Sequence, residues 1–316
     1  MDRRQFVLGT AGAFAAPRTL SRLGGGTAVA LVTADLEAHV SAVGLTSGRV
    51  VRRLGTLEGP RSIESVLGTD AVVAHTAEGA VSLIDGRGLR VRRVLRGFSE
   101  PRYTATARNG RHAYVTDSGT GELAVLDVVR GRVVARAEIG AGARHLSLGR
   151  SDRRLWISLG TKAERVAIVD VSEPTRPRVL ARISPPFLAH DVGFAPDGRI
   201  WVSSGDRRLL ALYDARGRLL RTFAGDAPPQ HVTFLGGRAY VTSGDDGMLR
   251  VHALDGTLLR SERVPLGSYN VQEGGGRVLT PSLSQGTLCV ADARGRIVTR
   301  VHVARSSHDA CFVMSA

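Results

Sequence analysis

One phrase of about 41 residues recurs along the chain, and this repeat constrains the fold more than any other feature. Each copy contains an apolar strand, a Gly/Asp/Ser turn, a second strand that closes on Asp, a Gly/Arg turn and a third strand. Apolar and polar residues alternate within the copies, which indicates antiparallel strands joined by hairpins. Seven copies at a regular spacing predict a repeat architecture. The closing positions are Gly44, Asp85, Asp127, Asp170, Asp214, Asp255 and Asp292, separated by 41, 42, 43, 44, 41 and 37 residues.

A fourth strand precedes every copy except the first. The missing strand is supplied by the C-terminal heptad HDACFVM (308–314), which is similar to HDVGFAP at 190–196. The sequence therefore predicts an all-β fold, a seven-bladed β-propeller of four-stranded antiparallel blades in which the C-terminal strand completes blade one. All seven blades form a single domain at 24–316. The other inner strands are predicted to start at residues 61, 102, 144, 190, 230 and 269.

Three segments carry a family resemblance: AYVTDSGTGELAVLDV from Ala113, AYVTSGDDG from Ala239 and HDVGFAPDGRIWVSSGD from His190. They resemble the repeats of the YVTN/lactonase-like (NHL-like) propeller superfamily, and the resemblance covers nearly the whole chain after residue 24. It implies the architecture but no particular activity, because these repeats mark strands and turns. It also implies that ligands approach the face formed by the starts of the inner strands and the loops between second and third strands.

The N-terminal segment DRRQFVLGTAGAFAAP (2–17) combines two arginines with Phe6 and a short Gly/Ala-rich apolar stretch. It resembles a twin-arginine export signal, and AFA at 13–15 fits a cleavage site, although Asp2 departs from the pattern. We predict that residues 1–23 are an export signal and linker and that the protein is periplasmic or secreted. The alternative is a frayed N-terminal tail. No segment has the uninterrupted apolar length of a membrane span.

The formal charge is +14, and of the 43 basic residues only Lys162 is a lysine. So strong an arginine bias fits a GC-rich genome better than a polyanion groove, and no aromatic stacking platform accompanies it, so we do not expect nucleic-acid binding. Arginine is concentrated in the turns of the face opposite the inner-strand starts, such as VRGR at 129–132. That face is predicted to be basic and to suit anionic cell envelope or partner proteins. Alternatively, these arginines are soluble turn residues. The protein is predicted to be a monomer.

The first two residues of each inner strand are predicted to ring the mouth of the channel. Three consecutive blades contribute arginines, and such an arc suits a carboxylate or phosphate because each guanidinium offers paired donors. The alternative is that these polar residues bind only water and neighbouring loops. The predicted ring consists of Arg61, Ser62, Arg102, Tyr103, Arg144, His145, His190, Asp191, Gln230, His231, Tyr269, Asn270, His308 and Asp309.

These residues favour a binding or scaffold module that takes an anionic small molecule or a protein partner at the channel mouth. No cofactor is predicted. The alternative is a lactonase- or lyase-type enzyme in which His190, His231 or His308 is a general base or a metal ligand. No nucleophile–base pair or acid pair has a diagnostic spacing, so no catalytic residue is assigned.

The two cysteines, Cys289 and Cys311, occupy repeat positions where other blades have small residues. They fall on a third strand and an inner strand of adjacent blades, where bridging geometry is doubtful. We expect small core residues and no disulfide.

Overall fold

The structure is a computed structural model that describes residues 26–316, and its strands form seven four-stranded antiparallel sheets. The predicted export signal at 1–23 lies outside the described residues. The described part of the chain contains no helix with the length and hydrophobicity needed to cross a membrane.

In each blade four strands follow one another from the innermost, at the channel, to the outermost. Blade one consists of β28 (Ala310–Ser315), β1 (Thr27–Ala34), β2 (His39–Gly44) and β3 (Arg49–Gly55); blade two of β4 (Pro60–Val66), β5 (Asp70–His75), β6 (Ala80–Asp85) and β7 (Arg90–Arg96). Blade three consists of β8 (Pro101–Thr106), β9 (His112–Asp117), β10 (Glu122–Asp127) and β11 (Arg132–Glu138); blade four of β12 (Ala143–Leu148), β13 (Arg154–Leu159), β14 (Val166–Asp170) and β15 (Arg178–Ile183). Blade five consists of β16 (Val192–Phe194), β17 (Ile200–Ser203), β18 (Leu209–Tyr213) and β19 (Leu219–Ala224); blade six of β20 (Val232–Leu235), β21 (Arg238–Ser243), β22 (Met248–Ala253) and β23 (Leu258–Arg263). Blade seven consists of β24 (Gln272–Gly274), β25 (Arg277–Pro281), β26 (Thr287–Ala291) and β27 (Ile297–His302).

The innermost strands contact one another in a closed ring that runs from β28 through β4, β8, β12, β16, β20 and β24 back to β28. They therefore enclose a central channel, and the predicted seven-bladed propeller is confirmed. Closure is confirmed as well, because β28 pairs antiparallel with β1 from Thr27↔Ser315 to Val32↔Ala310. The polypeptide thus completes its first sheet with its last strand.

Apolar side chains fill the spaces between neighbouring blades. Trp156 of blade four, for example, packs in one cluster with Ile200 and Tyr213 of blade five. Hydroxyl side chains add polar links between blades near the channel: Thr116 donates to the Arg144 carbonyl at 2.6 Å and Ser158 to the His190 carbonyl at 3.0 Å. These bonds tie the inner-strand starts of blades four and five to the preceding blade.

The closing aspartates have a structural role in the hairpin turns. In Asp214 the carboxylate accepts hydrogen bonds from the backbone N–H groups of Arg216 and Arg218, both at 2.9 Å, and these bonds hold the pKa of Asp214 below its usual value. The corresponding aspartates of the other blades also accept turn amides. Each carboxylate therefore fixes the turn that follows its strand.

Both cysteines are buried and free, with Cys289 0% and Cys311 2% exposed, as the repeat alignment predicts. Burial raises the pKa of the Cys289 thiol to about 11. They are small core residues of the blades that meet at the closure.

Candidate functional site

The inner strands are irregular where the predicted ring residues lie. In blades two to four a register shift interrupts the pairing with the second strand, between Pro60 and Ser62, between Pro101 and Thr104 and between Ala143 and Leu146. In blades five to seven the regular strand begins only at 192, 232 and 272, two to three residues later than predicted. Such irregularities re-aim side chains at the end of a strand. They give the two residues of each predicted pair different environments.

The second residue of every pair is buried, while the first is half-buried in five of the seven blades. Except for His145, the second residues also line a cavity of about 290 Å³ in the channel. The ring predicted from sequence is therefore two layers, a rim of first residues and a buried layer of second residues. The buried layer consists of Ser62, Tyr103, His145, Asp191, His231, Asn270 and Asp309.

The three rim arginines differ in their charge partners. Arg61 forms an ion pair with Asp35 at 3.0 Å, and Arg102 lies 3.4 Å from Glu100. For Arg144, no carboxylate of residues 26–316 lies within ion-pairing distance, and its guanidinium lies 5.8 Å from the centre of the Tyr103 ring. Burial lowers the pKa of Arg144, and the charges of Arg102 and Arg61 lower it further.

Each guanidinium of this arc has an unused donor. The Nε atoms of Arg61, Arg102 and Arg144 are buried and have no hydrogen-bond partner among the described residues. A depression of about 410 Å³ lies beside Arg61 and Arg102. An arc of like charges with unsatisfied buried donors is the electrostatic complement of an anion.

The cavity on the inner side of the buried layer is acidic on one wall. Burial raises the pKa of Glu64 to about 8, with a further increase from the neighbouring charge of Asp309. Burial likewise raises the pKa of Asp309 to about 7, although the Ile63 N–H donates to its carboxylate at 3.0 Å. The sequence analysis did not single out Glu64, and its only signal was its position two residues after Ser62, on the same face of β4.

Aromatic rings cluster around Tyr103 at the buried layer. The Tyr103 ring centre lies 4.2 Å from that of His145, 5.8 Å from His231 and 6.1 Å from His308, so this side chain reaches histidines from three blades. Burial raises the pKa of the Tyr103 phenol to about 12, which keeps it neutral.

Three histidines from consecutive blades meet beside Tyr103. The candidate ligand atoms of His145, His190 and His231 all lie within 4.8 Å of one another. Among the predicted metal candidates, the structure thus brings His190 and His231 together and adds His145. It places His308 elsewhere, with its Nδ1 3.0 Å from the Arg61 carbonyl oxygen and 2.9 Å from the Asn270 amide nitrogen.

The remaining ring residues are tied to a loop carboxylate. The Tyr269 hydroxyl donates to Asp245 at 2.7 Å, and the Gln230 amide donates to the same carboxylate at 3.2 Å. Asp245 therefore connects the rims of blades six and seven. The Tyr269 and Gln230 side chains hold this loop carboxylate in place.

Some arginines of the opposite face pair with the closing aspartates. Arg90 bonds to Asp85 at 3.1 Å and Arg218 to Asp214 at 3.2 Å. These exposed pairs reduce the net positive charge of that face, while contributing little to stability. The predicted contact of this face with an anionic surface stays a prediction.

Comparison with known proteins supports the architecture. The family model described as outer membrane protein assembly factor BamB matches residues 146–303, and no curated protein matches the chain. Hydrazine synthase from Kuenenia stuttgartiensis is 14% identical, with a TM-score of 0.74 over 90% of this chain and 100% of that one. A functionally unknown protein from Desulfotomaculum acetoxidans is 12% identical, with a TM-score of 0.78 over 91% of this chain and 99% of that one.

A third similar structure is a putative 6-phosphogluconolactonase from Bacteroides fragilis. It is 12% identical, with a TM-score of 0.74 over 94% of this chain and 100% of that one. The resemblance to lactonase-like propellers is thereby confirmed at the level of the fold. Neighbours with such different names share an architecture and not an activity.

Proposed function

We propose that this chain, which belongs to the family described as outer membrane protein assembly factor BamB, is a binding module. Its channel mouth would hold an anionic ligand. The observation that carries the proposal is the arginine arc. Its Arg144 has no carboxylate partner in the described part of the chain, and three buried Nε donors lack acceptors there. A carboxylate or phosphate group would satisfy these donors and offset the repulsion between the guanidinium groups.

Anion binding is tested by calorimetric titration of the protein with inorganic phosphate and with succinate at low ionic strength. The variant Arg144→Gln is expected to bind at least about 10-fold more weakly, because one charge-assisted hydrogen bond contributes roughly 1.5–3 kcal/mol. Arg153→Gln is the matched control, since Arg153 is an exposed arginine on the opposite face and its loss changes the net charge equally. Equal affinities for the two variants would show that binding follows net charge and would refute the site.

We further propose that this function is exerted outside the cytoplasm. Arg3, Arg4 and the apolar stretch after Phe6 support export, as does a family description that names an outer membrane assembly factor. Replacing both arginines with lysine is expected to retain the protein in the cytoplasm, because the twin-arginine pathway requires the arginine pair. Cell fractionation measures this, and unchanged distribution of the lysine variant would contradict twin-arginine export.

A further inference from the structure

Three imidazole rings from blades four, five and six meet at the buried layer of the channel. His145 is 1% and His231 7% exposed, and His190 is half-buried at the rim. The ring centres are 4.4 Å apart for His145 and His190, 4.8 Å for His145 and His231, and 5.2 Å for His190 and His231. The inner-strand starts of three consecutive blades thus bring their histidines to a single point.

The outer nitrogen of each ring has a partner in the protein. The Nδ1 of His190 lies 3.0 Å from the Thr161 carbonyl oxygen, and the Nδ1 of His231 lies 3.4 Å from a carboxylate oxygen of Asp191. The Thr161 carbonyl and the Asp191 carboxylate can only accept hydrogen bonds, so both contacts favour a proton on Nδ1. The Nε2 atom of each ring therefore carries a lone pair.

His145 completes this arrangement. Its Nδ1 lies 3.3 Å from the Ser158 hydroxyl, and its Nε2 is buried without a hydrogen-bond partner in the described structure. Burial and the neighbouring histidines hold the pKa of His145 well below its usual value, and burial lowers that of His190 to about 4.

We propose that His145, His190 and His231 bind one divalent transition-metal ion such as Zn²⁺ through their Nε2 atoms. Three imidazoles on a tetrahedral ion with Zn–N bonds of about 2.0 Å have ring centres about 5 Å apart, close to the spacing of this cluster. A metal cation would accept these lone pairs, including that of the buried His145 Nε2, which has no donor among residues 26–316. Ser158, Thr161 and Asp191 are the groups that orient the three rings.

The three protein ligands leave a fourth coordination position for water or a ligand atom. Arg144 directly precedes His145 in the chain and stands at the rim above the cluster. The metal site is independent of the proposed anion binding, because it depends on the imidazoles and the anion site depends on the guanidinium groups. Either can fail while the other holds.

The test is titration of tag-free, chelator-treated protein with Zn²⁺ by calorimetry and with Co²⁺ by visible absorption. We expect one ion per chain and the visible bands of tetrahedral Co²⁺. His145→Gln and His190→Gln are each expected to weaken binding at least about 100-fold, because a lost ligand costs more than a lost orienting partner. His190 is half-buried, so its variant reports on binding even where His145→Gln reduces folding.

His308→Gln is the matched control. His308 is a buried residue of the rim, 5% exposed, and lies outside the cluster. The His308→Gln variant should bind Zn²⁺ with the affinity of the unmodified protein. The proposal is overturned if the chain binds no ion stoichiometrically, if His190→Gln retains full affinity, or if His308→Gln loses affinity as strongly as His190→Gln.

Discussion

Deletion of residues 308–316 is expected to abolish cooperative folding of the whole propeller, not of blade one alone. This segment supplies six residue pairs with β1 and buries Ala310, Cys311 and Val313. Full burial of one large apolar side chain contributes about 1.5–3 kcal/mol, whereas a whole domain is stable by only about 5–15 kcal/mol. The lost strand also opens the ring and exposes an unpaired edge of β1. Circular dichroism melting and gel filtration should show no sharp transition and an expanded or aggregated chain.

Deletion of Ala316 alone is the control for this truncation. Ala316 is exposed and follows the last residue of β28, so its loss should leave the melting curve nearly unchanged. The segment 308–316 also connects blades one and two. The Asp309 carboxylate accepts a hydrogen bond from the Ile63 N–H, and the Met314 N–H donates to the Gly68 carbonyl. If the nine-residue truncation melts like the intact protein, closure by β28 does not hold the ring together.

The sequence predicted the blades well because their determinants are local. The same features recur in every blade: alternation within each strand, Gly and Asp in each turn, and a period near 41 residues. A copy with a weak pattern can therefore be recognised from the other copies. The same periodicity placed the predicted ring residues together at the channel, since equivalent positions of a propeller are related by rotation. The closing aspartates recur with the same period, because a carboxylate that bonds its own turn needs no distant partner.

The identity of the histidines that meet could not be predicted in the same way. His145, His190 and His231 converge while His308 turns to Arg61 and Asn270, and each of these outcomes depends on contacts across the channel between residues far apart in sequence. The interrupted pairing at the inner-strand starts sets where each side chain points, and alternation of residue types carries no signal for it. The pairing of opposite-face arginines such as Arg90 and Arg218 with the closing aspartates could be predicted from sequence, because both partners lie in one short hairpin turn.

Substitution of Gly286 by alanine is expected to destabilise the protein by about 4 kcal/mol. Gly286 has a φ of +59°, which costs a non-glycine residue roughly 1–2 kcal/mol. A Cβ at this position would lie 1.6 Å from the Ala304 carbonyl oxygen, so the backbone must move, and overpacking of this kind costs about 1–3 kcal/mol. Denaturant unfolding of the variant measures the loss directly.

Gly276→Ala separates the two contributions, because Gly276 lies in the same blade with a φ of +71° and no atom within 4 Å of the added Cβ. It should lose only the conformational part, about 1–2 kcal/mol. The difference between the two variants then measures the close approach of Gly286 to residues 303 and 304, whose N–H groups donate to its carbonyl at 2.8 and 3.2 Å. These residues lead into the closing strand, so the tight contact positions the chain for closure. Equal losses in both variants would show that the backbone conformation, and not this contact, requires glycine at position 286.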